Sequence, residues 1–140
     1  MYSNGAKQYQ QVSAHTAVMD ADPHRLIQLL FEGALTRIAK AKGHIERNEI
    51  EERNETINAA IRIVGGLQES LDMDAGEIAR NLDNLYDYMI RRLFESNSKN
   101  SNVMLDEVAK LLIEIKSAWG EIREDALMQL NKKSNQKIKK

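Results

Sequence analysis

Residues 77–97 read Glu77-Ile78-Ala79-Arg80-Asn81-Leu82-Asp83-Asn84-Leu85-Tyr86-Asp87-Tyr88-Met89-Ile90-Arg91-Arg92-Leu93-Phe94-Glu95-Ser96-Asn97. Ile78, Leu82, Leu85, Met89 and Leu93 recur at steps of three and four, the period of one face of an α-helix. At this length the helix would extend roughly 30 Å. Tyr86, Ile90 and Phe94 form a second line at steps of four beside the first. A helix apolar on two faces must bury both or keep one for a partner. The spacing therefore predicts a core-facing line and a second line that is partly spare.

Working outward, the flanking segments repeat the helical pattern. Asp22-Pro23 suits a helix start, with Asp as N-cap and Pro at the first helical position. Leu26, Ile27, Leu30, Ala34, Ile38, Ala41 and Ile45 then mark one face, widened by Leu29 and Phe31, and either Gly43 or Asn48 would end the helix. In the next segment Ile50, Ile57, Val64 and Leu71 fall at steps of seven, with Ala60, Ile61 and Leu67 between them, a bundle-type seam. Gly65-Gly66 inside it predicts a bend or a close approach of another backbone, because glycine is unfavourable in a helix interior.

On the far side, Asn97-Ser98-Lys99-Asn100-Ser101-Asn102 is rich in turn and cap formers. A fourth helix is predicted from about Val103, with Val108, Leu111, Leu112, Ile115, Trp119 and Ile122 on one face and Met104 and Ile113 off it. Gly120 would kink it or set off a short final helix ending near Leu130. Four long amphipathic segments on short links predict an all-α, antiparallel four-helix bundle over residues 22–130. Residues 1–21 are polar, with isolated apolar residues including Tyr9 and Val12, and read as a mobile arm. Residues 131–140 read as a basic, disordered tail.

The totals agree with one soluble domain. The 140 residues are 42% apolar and 29% charged, with 5% aromatics and a single proline. A formal net charge of -1 gives no global field toward nucleic acid or an anionic membrane. There are no cysteines, which excludes disulfides and thiolate metal sites. No leader and no membrane-length apolar run is read, so a cytoplasmic protein is expected.

A catalytic or metal constellation is not found. A di-iron bundle needs Glu-x-x-His on two helices, but the residues three before His15, His24 and His44 are Val12, Ala21 and Ala41. All three histidines read as ordinary surface residues. Asp72-Met73-Asp74-Ala75-Gly76 hints at a calcium loop, but its sixth and twelfth positions hold Glu77 and Asp83 where glycine and glutamate are needed. Gly65-Gly66 lacks the Gly-Lys-Ser/Thr ending of a phosphate loop. Glu46, Glu49, Glu51 and Glu52 read as a solvated face. Arg91-Arg92 reads as a charged helix edge pairing with Asp87 or Glu95, or as a rim that orients a polar partner. No enzyme activity and no cofactor are expected.

Several separate segments also carry a family resemblance. Tyr9-Gln10-Gln11-Val12 and Asp22-Pro23-His24-Arg25-Leu26-Ile27-Gln28-Leu29-Leu30-Phe31-Glu32-Gly33-Ala34 resemble the opening of the FliS family of flagellin export chaperones. Gly76-Glu77-Ile78-Ala79-Arg80-Asn81-Leu82 and Leu85 through Leu93 continue it, and Trp119 fits as well. The resemblance covers roughly residues 1–122. The Lys-rich tail falls outside the family pattern, and Ala6 stands where the family often has a bulkier apolar residue.

The resemblance implies a cytoplasmic helical bundle that holds the C-terminal segment of flagellin, blocks premature filament assembly and helps deliver the subunit to the flagellar export gate. It also implies that Tyr9 and Val12, in the N-terminal arm, cover part of the client surface when no client is bound. Apolar lines in excess of the bundle's own core suit helix-in-groove docking of a disordered client. Candidate client-surface residues are Ile57, Ile61, Val64, Tyr86, Ile90, Phe94, Met104 and Leu112. A core role is equally compatible with the periodicity of Ile57, Ile61, Val64 and Leu112. Expected partners are flagellin and an export-gate component, with no nucleic acid and no membrane insertion, and the bundle is expected as a monomer or weak homodimer. The competing reading is a helical interaction module that homodimerises through its spare apolar face.

Overall fold

The computed structural model of the protein describes residues 22–122. Four helices fill this span: α1 (Pro23–Glu46), α2 (Ile50–Glu69), α3 (Glu77–Lys99) and α4 (Asn102–Glu121). A short 3-10 turn, Met73–Ala75, lies between α2 and α3. No strand occurs among the described residues. Short links force antiparallel neighbours, and each helix packs on two others: α1 on α2 and α4, and α3 on α2 and α4. The predicted all-α four-helix bundle is the observed architecture. The arm over residues 1–21 with Tyr9 and Val12, the continuation to Leu130 and the tail over 131–140 lie outside the described residues.

Local chemistry sets the helix ends. The Asp22 carboxylate accepts from the Arg25 N–H at 2.7 Å, and Pro23 occupies the first turn, as expected. Helix α1 ends on Asn48, whose φ of 57° places it in the left-handed region that an asparagine side chain tolerates. The Asn48 N–H donates to the Ile45 carbonyl at 3.2 Å and the Glu49 N–H to the His44 carbonyl at 2.9 Å, the paired bonds of a Schellman stop. Of the two predicted terminators, Asn48 is therefore the one used. Asn100 ends α3 in the same left-handed conformation, with the Ser101 N–H on the Ser96 carbonyl at 3.0 Å. The Ser101 hydroxyl then caps α4 by accepting from the Met104 N–H.

Arg53 ties the start of α2 to this far end, donating to the Asn97 and Asn100 side-chain oxygens at 2.7 Å each. The Glu49 expectation is corrected here. Its carboxylate accepts from His44 and Arg47, and those bonds hold it below the usual carboxylate range.

The core runs the length of the bundle, with Phe31 and Ile38 of α1, Ile57 and Val64 of α2, Met89 and Leu93 of α3, and Leu105, Val108 and Leu112 of α4 all sealed from solvent. Two ends of the predicted lines fall outside it. Ile78 is 65% exposed and Ile50 60% exposed, because each sits in the first turn of its helix, beyond the layer that the neighbouring helices cover. The Gly65-Gly66 expectation is also corrected. Helix α2 runs through both without a break, and a Cβ built at either meets nothing within 4 Å. Gly120 likewise lies inside α4, which continues to Glu121.

Candidate functional site

Residue 22 enters α1 and residue 122 leaves α4 at the same end of the bundle, where the α2–α3 link also turns. A largely apolar cavity of about 310 Å³ opens there. Ile27 and Phe31 of α1 form its floor with Tyr86 of α3. Ile78 and Leu82 of α3 supply one wall, and Ile115, Ala118 and Trp119 of α4 the other. The link contributes Leu71, Asp72 and Ala75. An apolar cleft of this size with few polar groups is the usual form of a ligand- or peptide-receiving site.

A clasp between the two chain-terminal helices frames the mouth. The rings of His24 and Trp119 stack at 5.6 Å between centroids and 8° between planes. The Trp119 indole N–H donates to the His24 carbonyl at 3.1 Å, and the His24 Nε2 donates to the Trp119 carbonyl at 3.1 Å. A carbonyl only accepts, so this geometry assigns the proton to Nε2. His24 is thus a fastener between α1 and α4, correcting its reading as an ordinary surface histidine.

Polar groups at the cavity are few. The Ser70 hydroxyl donates to the Leu67 carbonyl at 2.6 Å. Asp72 caps the 3-10 turn, its Oδ1 accepting from the Asp74 N–H at 3.0 Å, while its Oδ2 is covered and has no hydrogen-bond partner among the described residues. Glu114 stands exposed at the rim. Burial pushes the Tyr86 phenol up to about 12, so the floor stays uncharged at any ordinary pH. Gly76, at the start of α3, has a φ of 91°, a left-handed backbone that lets the link turn sharply under the cavity. No group of three or more histidine, cysteine, aspartate or glutamate side chains able to hold a metal gathers among the described residues.

The eight predicted surface residues divide. Ile57, Val64 and Leu112 are fully buried and Tyr86 is 3% exposed, so these four are core side chains, a correction to their reading as client contacts. Their positions mid-helix, facing the bundle axis, are the reason. Tyr86 still reaches the cavity as part of its floor. Ile61 and Ile90 are half-buried against the core, and Met104 is half-buried. Phe94 is 56% exposed, away from the cavity. The eight do not converge on one surface.

The residues that do converge, Ile78, Ile115, Ala118 and Trp119, read in the sequence as core periodicity or not at all. The signal available was positional: each lies within two turns of a helix end that meets the others at one pole.

Comparison with known proteins gives a consistent picture. The family model described as Flagellar protein FliS matches residues 5–126. The chain is 55% identical over 121 residues to the Pseudomonas aeruginosa flagellar secretion chaperone FliSB, covering 85% of this chain and 96% of that protein. It is 43% identical over 132 residues to the flagellar secretion chaperone FliS of Salmonella typhimurium, covering 92% and 98%. The Bacillus subtilis flagellar secretion chaperone FliS is 35% identical over 111 residues, covering 79% and 80%. With nearly its whole length matched, the chain belongs to the FliS family of flagellar proteins.

Proposed function

We propose that this protein is a cytoplasmic export chaperone for flagellin, binding the disordered C-terminal segment of that subunit, preventing its premature polymerisation and aiding its delivery to the flagellar export gate. The observation that carries this reading is the open apolar cavity at one pole of the bundle. Relatives named as flagellar secretion chaperones support the client class. An amphipathic client helix lays two or three apolar side chains into such a cleft, and ordering the segment on binding offsets part of the contact energy. The resulting modest affinity suits a chaperone that must release its client. No helix among the described residues is long and apolar enough to cross a membrane, in keeping with a soluble carrier.

The N-terminal arm with Tyr9 and Val12 acts as a lid in this reading. Its support is that the chain enters α1 at the cavity, with Ile27 one turn inside the helix on the floor. A titration of flagellin's C-terminal peptide, followed by circular dichroism for helix gained on mixing, tests the client. Ala118→Phe, a pocket-filling change at an exposed position, should abolish the gain while leaving the free bundle folded. Deleting residues 1–15 should raise client affinity if the arm competes. No helix gained with any flagellin peptide, and an unchanged titration in A118F, would overturn the assignment. A stable dimer that the peptide does not disturb would favour self-association instead.

A further inference from the structure

We infer that the chain's own C-terminal segment, residues 123–130, seats its leucines in the cavity of the free protein and competes there with the client. This rests on the client reading above and names how that site is regulated. The first observation is where the chain leaves the bundle. Helix α4 stops at Glu121, and Ile122, with φ −72° and ψ 131°, bends the chain off the helix axis in extended backbone. Ile122 is itself part of the cavity wall, with Ala118 and Trp119. The segment that follows therefore starts at the mouth. The second observation is what is left bare there. Of the seven large apolar side chains exposed among the described residues, Met73, Ile78 and Ile122 crowd this one pole. Apolar surface gathered around a cleft marks a docking site.

The third observation is the chemistry of the segment, Arg123-Glu124-Asp125-Ala126-Leu127-Met128-Gln129-Leu130. Ala126, Leu127 and Leu130 fall at steps of one and three, on one side of a helical turn. Glu124 and Asp125 precede them, and Lys132 and Lys133 follow, the charge order that complements a helix dipole. A helix this short is marginal alone in water and gains its stability from the surface it covers. It offers the cleft what an amphipathic client offers, a few apolar side chains and no charge between them.

Reach and tether favour this occupant. Leu127 stands five residues past Ile122, a span of up to about 17 Å, whereas packed helices lie about 10 Å apart. The leucines therefore cross from the exit of α4 to the wall made by α3 and the α2–α3 link. A short tether holds the segment at an effective concentration in the millimolar range, ahead of any client in solution. Tyr9 and Val12 lie at least eleven residues before Pro23, a longer loop with a larger closure cost.

The test uses the full chain, whose lack of cysteine makes a crosslink unambiguous. Ala75→Cys on the link wall, combined with Leu127→Cys, should oxidise to an intramolecular disulfide about tenfold faster than Ala75→Cys combined with Ser134→Cys, because a seated segment brings the two sulfurs together. The flagellin C-terminal peptide should slow that crosslink, and so should adding A118F. Leu127→Ser with Leu130→Ser should shift the Trp119 emission of the free protein to the red and raise client affinity about fivefold or more, since the tethered competitor is gone. The blue shift on adding client should then be larger than in the original protein, because it starts from a wetter cleft.

No preference for the Leu127 crosslink, with emission and client affinity unchanged in the double serine variant and A118F still blocking the client, overturns the inference and leaves the client reading standing. If A118F leaves client binding normal, it is the client reading that fails, and the crosslink and the emission of the free protein still decide what fills the cavity. A red shift from Tyr9→Ser with Val12→Ser, and none from the leucine pair, makes the N-terminal arm the occupant and overturns the inference. A crosslink that forms only between two molecules does the same, since the segment then seats in a second copy.

Discussion

The Tyr88 hydroxyl on α3 donates to Glu107 Oε2 on α4 at 2.6 Å, while Arg92 Nε donates to the other carboxylate oxygen, Oε1, at 2.7 Å. Arg92 also lies 5.9 Å from the Tyr88 ring centroid and pairs with Glu95 at 3.4 Å. Of the two partners foreseen for the Arg91-Arg92 pair, Glu95 is used and Asp87 is not, since Asp87 accepts instead from Gln68 of α2. The hydrogen bonds from Tyr88 and Arg92 hold the Glu107 carboxyl below its ordinary range. The bond to Glu107 in turn raises the Tyr88 phenol. A carboxyl lowered in the folded state adds stability that is present above its unfolded value and is lost as pH falls through the folded value. Glu107→Gln should therefore melt at a lower temperature than the original protein at neutral pH. The gap should close on acidification below the ordinary carboxylate range, as followed by thermal melts across pH. A gap independent of pH would place the loss in packing.

The two glycines of α2 make an opposite prediction. A Cβ at Gly65 or Gly66 meets nothing within 4 Å, and neither adopts a positive φ. Alanine at either position should add about 1 kcal/mol of helix stability, raising the melting temperature by about 3 °C or more in a domain of this size. Calorimetry on the single variants checks the gain. If client affinity falls while stability rises, the bare backbone there is a contact for a partner, which is what the paired glycines first suggested in the sequence.

Fold and site differ in how far the residues announced them. The bundle was legible because its information is local: a step of three or four along α3 sets which side is apolar, and Asp22-Pro23 and Ser101 set where helices start. The site was not, because a cleft at a bundle pole is made of helix ends from three different helices and a link. Ile78 continues the line of Leu82, Leu85 and Met89 perfectly in sequence, yet the helices beside α3 do not extend far enough to cover it. Val64 and Leu112 have the same period as a groove residue would, and only the neighbouring helices show that they are sealed. His24 and Trp119 are 95 positions apart, and their contact has no sequence signature.

That distinction between line and layer is measurable. Val64 is fully buried and Ile78 is 65% exposed, although both belong to a predicted seam. Val64→Asp strands an uncompensated carboxylate in the core at a cost of roughly 3–5 kcal/mol, a large part of the stability of an ordinary domain. Circular dichroism should show it melted or close to it. Ile78→Asp should fold normally, because an acidic residue in the first turn of α3 complements the helix dipole and meets water. Equal damage from the two would mean that the pole of the bundle is closed in solution.

Trp119 is the chain's single tryptophan and stands in the cavity wall, so its fluorescence reports on whatever enters. An apolar segment that displaces water from the cleft should shift its emission to the blue, in step with the helix gained by the client. Trp119→Phe keeps an aromatic ring against His24 but loses part of the ring contact and the N–H bond to the His24 carbonyl, the bond itself being worth about 1 kcal/mol. It should abolish the optical signal while the circular-dichroism titration still saturates. His24→Ala removes the stacked ring and the bond to the Trp119 carbonyl together, leaving the end of α4 held to α1 by less. Amide exchange near residues 117–121 should then accelerate ahead of the mid-helix core, because the clasp is the polar tie between the two helices at that pole. If exchange there is unchanged in His24→Ala, the apolar floor under Ile27 and Phe31 is enough to fix the wall, and the cavity keeps its shape without the clasp.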